Sequence, residues 1–221
     1  GNPFRGTSKS VVPMTVTGSA SYHRKHTMPH ARKDLIQWET GQHYHIYNRG
    51  ARQLTIFPDQ ASYLEVLKMI KEYCRKYHFA LLAYCLMPNH YHFLVRQDGV
   101  VQAGQLAQRV FNRYSKAYNL RHNKSGTLFE SRFKAIHVDD DEYLHTLCYY
   151  IHANPVKDGI VGRIEEWPFS NYLDWVGERA GELIDRQFID EHFGGAARYK
   201  QTMAEFIRGK RYLDKRFDDM L

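Results

Sequence analysis

Two histidines, His90 and His92, stand two residues apart in an apolar segment that is typical of a β-strand. Successive side chains of a strand point to opposite faces, so both imidazoles share one face about 6.6 Å apart along the backbone. Neutral imidazoles bind divalent metal ions, and two of them leave coordination positions open for a substrate. The spacing therefore indicates half of a metal site, although a pair of strand histidines more often forms a polar face.

Tyr150 and Asn154 lie one turn apart in a segment whose apolar residues recur every three or four positions, which predicts a helix. Its acidic first turn suits the helix dipole. Because Pro155 disfavours helical geometry at the preceding residue, we expect the helix to run from about residue 140 to 153. At about 100° per residue, Tyr150 and Asn154 share a face, whereas Tyr149 lies on another.

These two pairs of residues form a compact chemical set if the helix faces the strand. We predict that His90, His92 and the amide oxygen of Asn154 hold a divalent cation. The phenol of Tyr150 would attack a substrate beside it. A structural interpretation stays open, since tyrosines fill amphipathic cores and asparagines end helices.

Five segments carry a resemblance to a known family. Residues 88–92 (PNHYH) and 150–159 (YIHANPVKDG) resemble the two signatures of the REP-associated tyrosine transposases, a branch of the single-tyrosine HUH transposases. Residues 44–50 (YHIYNRG), 126–134 (GTLFESRFK) and 167–172 (WPFSNY) resemble further segments of that family. Five matches in the same order make coincidence an unsatisfactory explanation.

The resemblance implies an α+β protein with a ferredoxin-like βαββαβ HUH domain that cuts single-stranded DNA. It assigns the metal-binding histidines to His90 and His92, the nucleophile to Tyr150 and the polar helix ligand to Asn154. It also implies a palindromic hairpin as the substrate. We expect Mg²⁺ or Mn²⁺ as the cofactor and a 5′-phosphotyrosine intermediate, and both monomers and homodimers remain open.

The periodicity of the chain predicts the same layout without the resemblance. Strands are expected at 42–48, 79–85 and 90–96, helices at 58–78 and 106–121, an extended segment at 127–138, and short helices at 167–176, 183–193 and 199–207. We therefore predict a flexible basic arm (1–39), a catalytic domain (40–160) and a helical extension packed on it (161–221).

Composition favours a polyanionic partner. The 221 residues carry a formal charge of +7, and the pI is about 9.2. Three cysteines in apolar contexts, without metal-binding spacing, predict buried thiols in a reducing compartment. No apolar run is long enough to span a bilayer, and no secretory segment is evident. Together with the resemblance, these features lead us to expect a bacterial, cytoplasmic, nucleoid-associated protein without a membrane partner.

A second His-x-His pair, His43 and His45, precedes the first one and competes with it for the same role. Spacing alone does not decide between the pairs, and the preference for His90 and His92 comes largely from the resemblance. If the first and third strands are neighbours, His45 supports a metal ligand without touching the ion. A surface histidine is the alternative.

Basic residues interleaved with aromatic ones predict a track for a single DNA strand, since phosphates pair with cations and bases stack on rings. The candidates are Arg49, Arg121, Lys124, Arg132 and Lys134. A solvated charged surface is the competing interpretation. Two other functions also compete: a ferredoxin-like nucleic-acid-binding module without chemistry, and a zinc hydrolase, for which an asparagine is a poor third ligand.

Overall fold

A four-stranded antiparallel sheet organises the chain in the computed structural model, which describes residues 36–213 and residue 217. The strands are β1 (His43–Arg49), β2 (Phe79–Leu86), β3 (His90–Gln97) and β4 (Lys134–Val138), in the spatial order β2-β3-β1-β4. Helices α1 (Gln60–Tyr77) and α2 (Gly104–Arg121) complete a βαββαβ chain order. The predicted α+β, ferredoxin-like fold is therefore confirmed. Most of the predicted N-terminal arm lies outside the described residues.

Alternation along β3 divides its side chains between two layers. Tyr91 points to the face covered by α2, where its ring stacks on Phe111 with centroids 4.0 Å apart. His90 and His92 point to the opposite face. There the rings of His92 and of Tyr150, a residue of the next helix, lie almost perpendicular to each other at a centroid distance of 5.5 Å. The two histidines are therefore held between the sheet and that helix.

The helix on this face, α3 (Asp141–Lys157), is longer than the sequence predicts. It begins after Asp140, whose side chain caps the first turn by accepting from the N–H of Tyr143. The predicted end at residue 153 is wrong, because the helix continues through Pro155. A proline removes one backbone donor, but it sits here in the last turn, where the N–H of Asp158 donates to the carbonyl of Asn154 and closes the helix.

The C-terminal segments pack on the outer side of α3. They form α4 (Tyr172–Trp175), α5 (Arg186–Phe193) and α6 (Ala196–Arg208). Tyr149 of α3 stacks on Tyr199 of α6 with ring centroids 5.0 Å apart. Tyr149 and Tyr150 therefore face different neighbours, as the predicted helical phase requires.

Two predicted elements are shorter than expected. The helix expected at 167–176 is reduced to α4, because Phe169 and Asn171 make backbone hydrogen bonds with the edge of β2. The extended segment expected at 127–138 contains only one regular strand, β4, and an isolated bridge between Gly50 and Phe129. None of the described helices has the length and apolar character needed to cross a bilayer.

Candidate active site

Three buried acceptor atoms converge between β3 and α3. They are Nε2 of His90, Nε2 of His92 and Oδ1 of Asn154, and none has a hydrogen-bond partner among the described residues. A buried polar atom left unpaired costs about 1–3 kcal/mol, so such a group calls for an explanation. A bound cation supplies one, because each atom offers a lone pair. The residues present therefore fit the predicted ion.

Hydrogen bonds on the far sides of these groups orient the three acceptors. Nδ1 of His90 lies 2.7 Å from Oδ1 of Asn89. An amide oxygen only accepts, so Nδ1 carries the proton of the neutral ring and Nε2 keeps its lone pair. The amide nitrogen of Asn154 donates to the carbonyl of Tyr150 at 2.9 Å, which turns Oδ1 towards the histidines.

Burial keeps both histidines of β3 neutral. It lowers the pKa of His90 to about 3, and the neighbouring Asn154 amide only partly opposes that shift. It also lowers the pKa of His92 well below the usual range, with His45 and His90 adding to the effect. A neutral imidazole is the form that binds a metal.

His45 lies directly behind His92. Its Nε2 is 3.0 Å from Nδ1 of His92, and both rings are fully buried. If Nε2 of His92 offers its lone pair to a cation, Nδ1 carries the proton and donates to His45. β1 and β3 are neighbours, as expected, so the structure places His45 where the supporting contact was predicted.

Among the described residues, no three His, Cys, Asp or Glu side chains are grouped closely enough to hold a metal. The candidate centre therefore depends on the amide oxygen of Asn154 as its third donor. A carboxylate is close: Oδ2 of Asp158 is 3.9 Å from Nε2 of His90. Oxygen donors of this kind suit Mg²⁺ and Mn²⁺ better than the softer metals.

The predicted nucleophile, Tyr150, is fully buried. The ammonium of Lys157 donates to its phenol oxygen at 3.2 Å and lies 5.2 Å from the ring centroid. On the other side, Phe217 stacks on the Tyr150 ring with centroids 4.1 Å apart and an interplanar angle of 13°. The Phe217 ring therefore covers one face of the phenol ring.

Most of the predicted DNA-binding cations have internal partners. Arg49 forms a bidentate pair with Glu130, with N–O distances of 3.0 and 3.1 Å. Arg121 pairs with Glu65, and Lys124 donates to the hydroxyl of Tyr118 at 3.4 Å. Arg49 and Arg121 are thus already charge-compensated.

Of the remaining two cations, Lys134 lies 5.8 Å from the Tyr47 ring centroid, and Arg132 is exposed. No carboxylate of the described residues pairs with Arg132. The structure therefore leaves Arg132 as the predicted cation most available to a phosphate.

Sequence reasoning missed several neighbours of the site. Asn89 is one of them, although an amide directly before a candidate ligand is a usable signal. Lys157 is another, because the expected helix end at residue 153 leaves it outside α3. Phe217 and Asp158 were not singled out, because contacts across tens of residues leave no trace in local spacing.

Comparisons with known proteins agree with this fold. Residues 39–154 match the family model described as Transposase IS200 like. Because that match covers more than half of the 221 residues, the chain belongs to this family.

The resemblance to REP-associated tyrosine transposases is also confirmed. A Haemophilus influenzae protein described by that name is 28% identical over 117 residues, which cover 46% of this chain and 64% of that relative. The chain thus matches less than two thirds of the relative's length. A solved REP-associated tyrosine transposase bound to a REP hairpin superposes with a TM-score of 0.57 at 19% identity, covering 72% of this chain and 94% of the other.

Proposed function

We propose that this chain is a transposase that cuts and rejoins single-stranded DNA beside a hairpin through a covalent bond to Tyr150. The observation that carries the proposal is the convergence of three unpartnered buried acceptors beside that phenol. Membership of a transposase family supports it. Hairpin DNA is the proposed partner because the similar solved structure is bound to a REP hairpin.

Tyr150 is the residue that makes and breaks bonds in this proposal. Its phenol oxygen attacks the scissile phosphorus, a new P–O bond forms, and the bond to the 3′-oxygen breaks. The phenolic proton is balanced by the proton that the 3′-hydroxyl gains. Attack by another 3′-hydroxyl reverses the step and joins strands without an external energy source.

Other residues of the chain prepare this reaction. Lys157 donates to the oxygen that attacks, and its charge compensates negative charge developing there. His90, His92 and Asn154 would hold Mg²⁺ or Mn²⁺, with His45 and Asn89 fixing the two rings. When bound, the ion supplies electrostatic stabilisation at the scissile phosphate.

A denaturant-resistant adduct between the protein and a labelled strand tests the proposal. The full chain is incubated with single strands carrying the palindromic repeats of its host genome, with Mn²⁺, Mg²⁺ or a chelator. An adduct is expected with either ion and not with the chelator. Tyr150→Phe should abolish the adduct while hairpin binding persists, whereas Tyr149→Phe, which changes a neighbouring ring on another face, should retain it.

The outcomes separate the competing functions. A normal adduct in Tyr150→Phe would refute the nucleophile assignment. Hairpin binding without any adduct would leave a ferredoxin-like binding module. Chelator-sensitive cleavage without an adduct would instead indicate attack by metal-activated water.

A further inference from the structure

A cavity of about 350 Å³ opens on the opposite side of the sheet from the candidate active site. It lies between α2 and the segment 129–133. Phe111 and Phe129 form part of its wall, with ring centroids 5.1 Å apart, and Tyr91 supports Phe111 by stacking on it. These three rings are almost fully buried. The apolar wall is therefore formed before any ligand arrives.

Polar groups line the open side of this cavity. Gln108 and Asn112 stand four residues apart on α2, so both amides are on the same face of the helix. The Asn112 amide offers donors and an acceptor, the groups that pair with the edge of a nucleobase. The Gln108 amide offers its donors, while its oxygen accepts from Nε2 of Gln105 at 3.1 Å. Arg132 lies at the cavity as well, exposed and without a carboxylate partner among the residues described. It can meet a phosphate.

The strand register places this cavity at the same end of the sheet as the metal ligands. Asn48 and Tyr91, which both line the cavity, are paired across β1 and β3. The next pair is Arg49 with His90. Because side chains alternate, the cavity and the candidate active site lie back to back, separated by the thickness of the sheet. A single strand passing around this end can contact both.

We infer that this cavity binds one unstacked nucleobase of the DNA strand, a few nucleotides from the phosphate that Tyr150 attacks. Phe111 and Phe129 form the apolar wall against which the base rests, Gln108 and Asn112 read its edge, and Arg132 contacts the adjacent phosphate. The inference rests on the proposed function for the identity of the ligand. It adds a site that selects which base stands next to the hairpin.

Photocrosslinking locates the base in the wild-type protein. 5-Iodouridine is placed at successive single-strand positions of the hairpin substrate, and the crosslinked peptides are sequenced. At one position, crosslinks are expected within residues 104–121 or 127–134. Crosslinks only to peptides elsewhere would overturn the inference. In a second arm, the same crosslinking is repeated with an excess of free deoxynucleoside monophosphates. Unchanged crosslinking would show that the cavity binds the DNA strand. Loss of crosslinking would show that the cavity prefers a free nucleotide, which also overturns the inference.

A cavity-filling variant tests the same contact thermodynamically. An abasic residue at the crosslinking position should weaken hairpin binding by the wild-type protein about 5- to 150-fold, the range for one base stacked on aromatic rings. Asn112→Trp should bind the intact strand as weakly as the abasic one. Leu120→Trp, on an exposed part of α2 outside the cavity, should behave as wild type. If the abasic residue weakened binding equally in Asn112→Trp and Leu120→Trp, the proposed base-binding site would be refuted.

A milder change covers the case in which the tryptophan disturbs folding. Asn112→Leu keeps the size of the side chain but removes the amide, so the preference among the four bases at that position should flatten while overall affinity persists. An unchanged preference would contradict the edge-reading role. All of these measurements report binding, so they remain decisive if Tyr150 forms no adduct.

Discussion

Two neighbouring strands each carry a His-x-His pair on the same face of the sheet, yet the pairs have different surroundings. Nε2 of His43, like Nε2 of His90 and His92, is buried without a hydrogen-bond partner among the described residues. On β3, however, His90 lies beside the amide of Asn154 and His92 beside the ring of Tyr150. His43 on β1 lies at the far end of that face, where its ring meets Phe188 of α5 at a centroid distance of 5.9 Å. His45 lies between them, bonded to His92.

Residue spacing alone places the imidazoles on one face of the sheet, and the helix packed against that face determines their chemistry. The last turns of α3 bring a phenol and an amide to His90 and His92. At the other end, His43 meets Phe188 and the positive charge of Arg96, a poor environment for a second cation. The comparison predicts separate consequences for changes at the two pairs.

The largest effect is expected at His92. His92→Asn removes a candidate ligand, and losing several kcal/mol of electrostatic stabilisation slows adduct formation about 10³-fold or more. The matched change His43→Asn should leave the single-turnover rate within a few-fold of wild type. Both rates are measured with saturating hairpin and Mn²⁺. Equal losses in the two variants would show that the pairs do not differ as proposed.

His45 provides an intermediate effect, because it acts through His92. His45→Ala removes the partner of Nδ1 and should weaken Mn²⁺ binding about 10- to 100-fold, as measured by electron paramagnetic resonance. His45→Gln keeps a side-chain acceptor and should recover part of the affinity. A merely structural role would lower the thermal stability in both variants and leave the metal affinity of the folded protein unchanged.

The sequence was sufficient for the part of the site that depends on local geometry. Alternation along β3 put His90 and His92 on one face, and helical phase separated Tyr150 from Tyr149. It was not sufficient where partners are distant in the chain. Arg49, a predicted DNA contact, pairs with Glu130, and the sequence around position 49 gives no sign of that distant carboxylate.

The end of α3 shows a different limit. The residue before a proline is disfavoured in a helix, and that preference predicted an end at residue 153. Tertiary packing overrides a local preference of this size. The extra turn brings Lys157 to the phenol of Tyr150 and Asp158 near His90. The proline rule therefore fails in the last turn of α3, the turn that completes the candidate site.

A smaller effect is expected from removing the ring that covers Tyr150, beside His90 and His92. Phe217→Ala removes the ring stacked on Tyr150, an interaction worth about 0.5–1.5 kcal/mol. Adduct formation should therefore accelerate about two- to tenfold at subsaturating hairpin. Phe206→Ala is the control, because this buried ring packs on Tyr149 instead. Slower adduct formation in Phe217→Ala would show that the ring supports the nucleophile and does not block it.

The smallest effect concerns the contribution of His43, at the far end of this face of the sheet, to the stability of the protein. Burial, with help from Arg96 and His192, lowers the pKa of His43 from 6.5 to about 4. Between these values the unfolded chain binds a proton that the folded chain does not. The contribution of His43 to stability is therefore present above pH 6.5 and is lost as the pH falls towards 4.

His43→Leu removes this titration. Because the imidazole is partly exposed, solvent screening reduces the expected difference to about 1 kcal/mol between pH 7 and pH 5. Urea denaturation at both pH values should show that the variant loses less stability on acidification than wild type. If His43→Leu loses as much stability on acidification as wild type, His43 is not held neutral by its surroundings. The contrast between the two histidine pairs is then confined to the chemistry at His92.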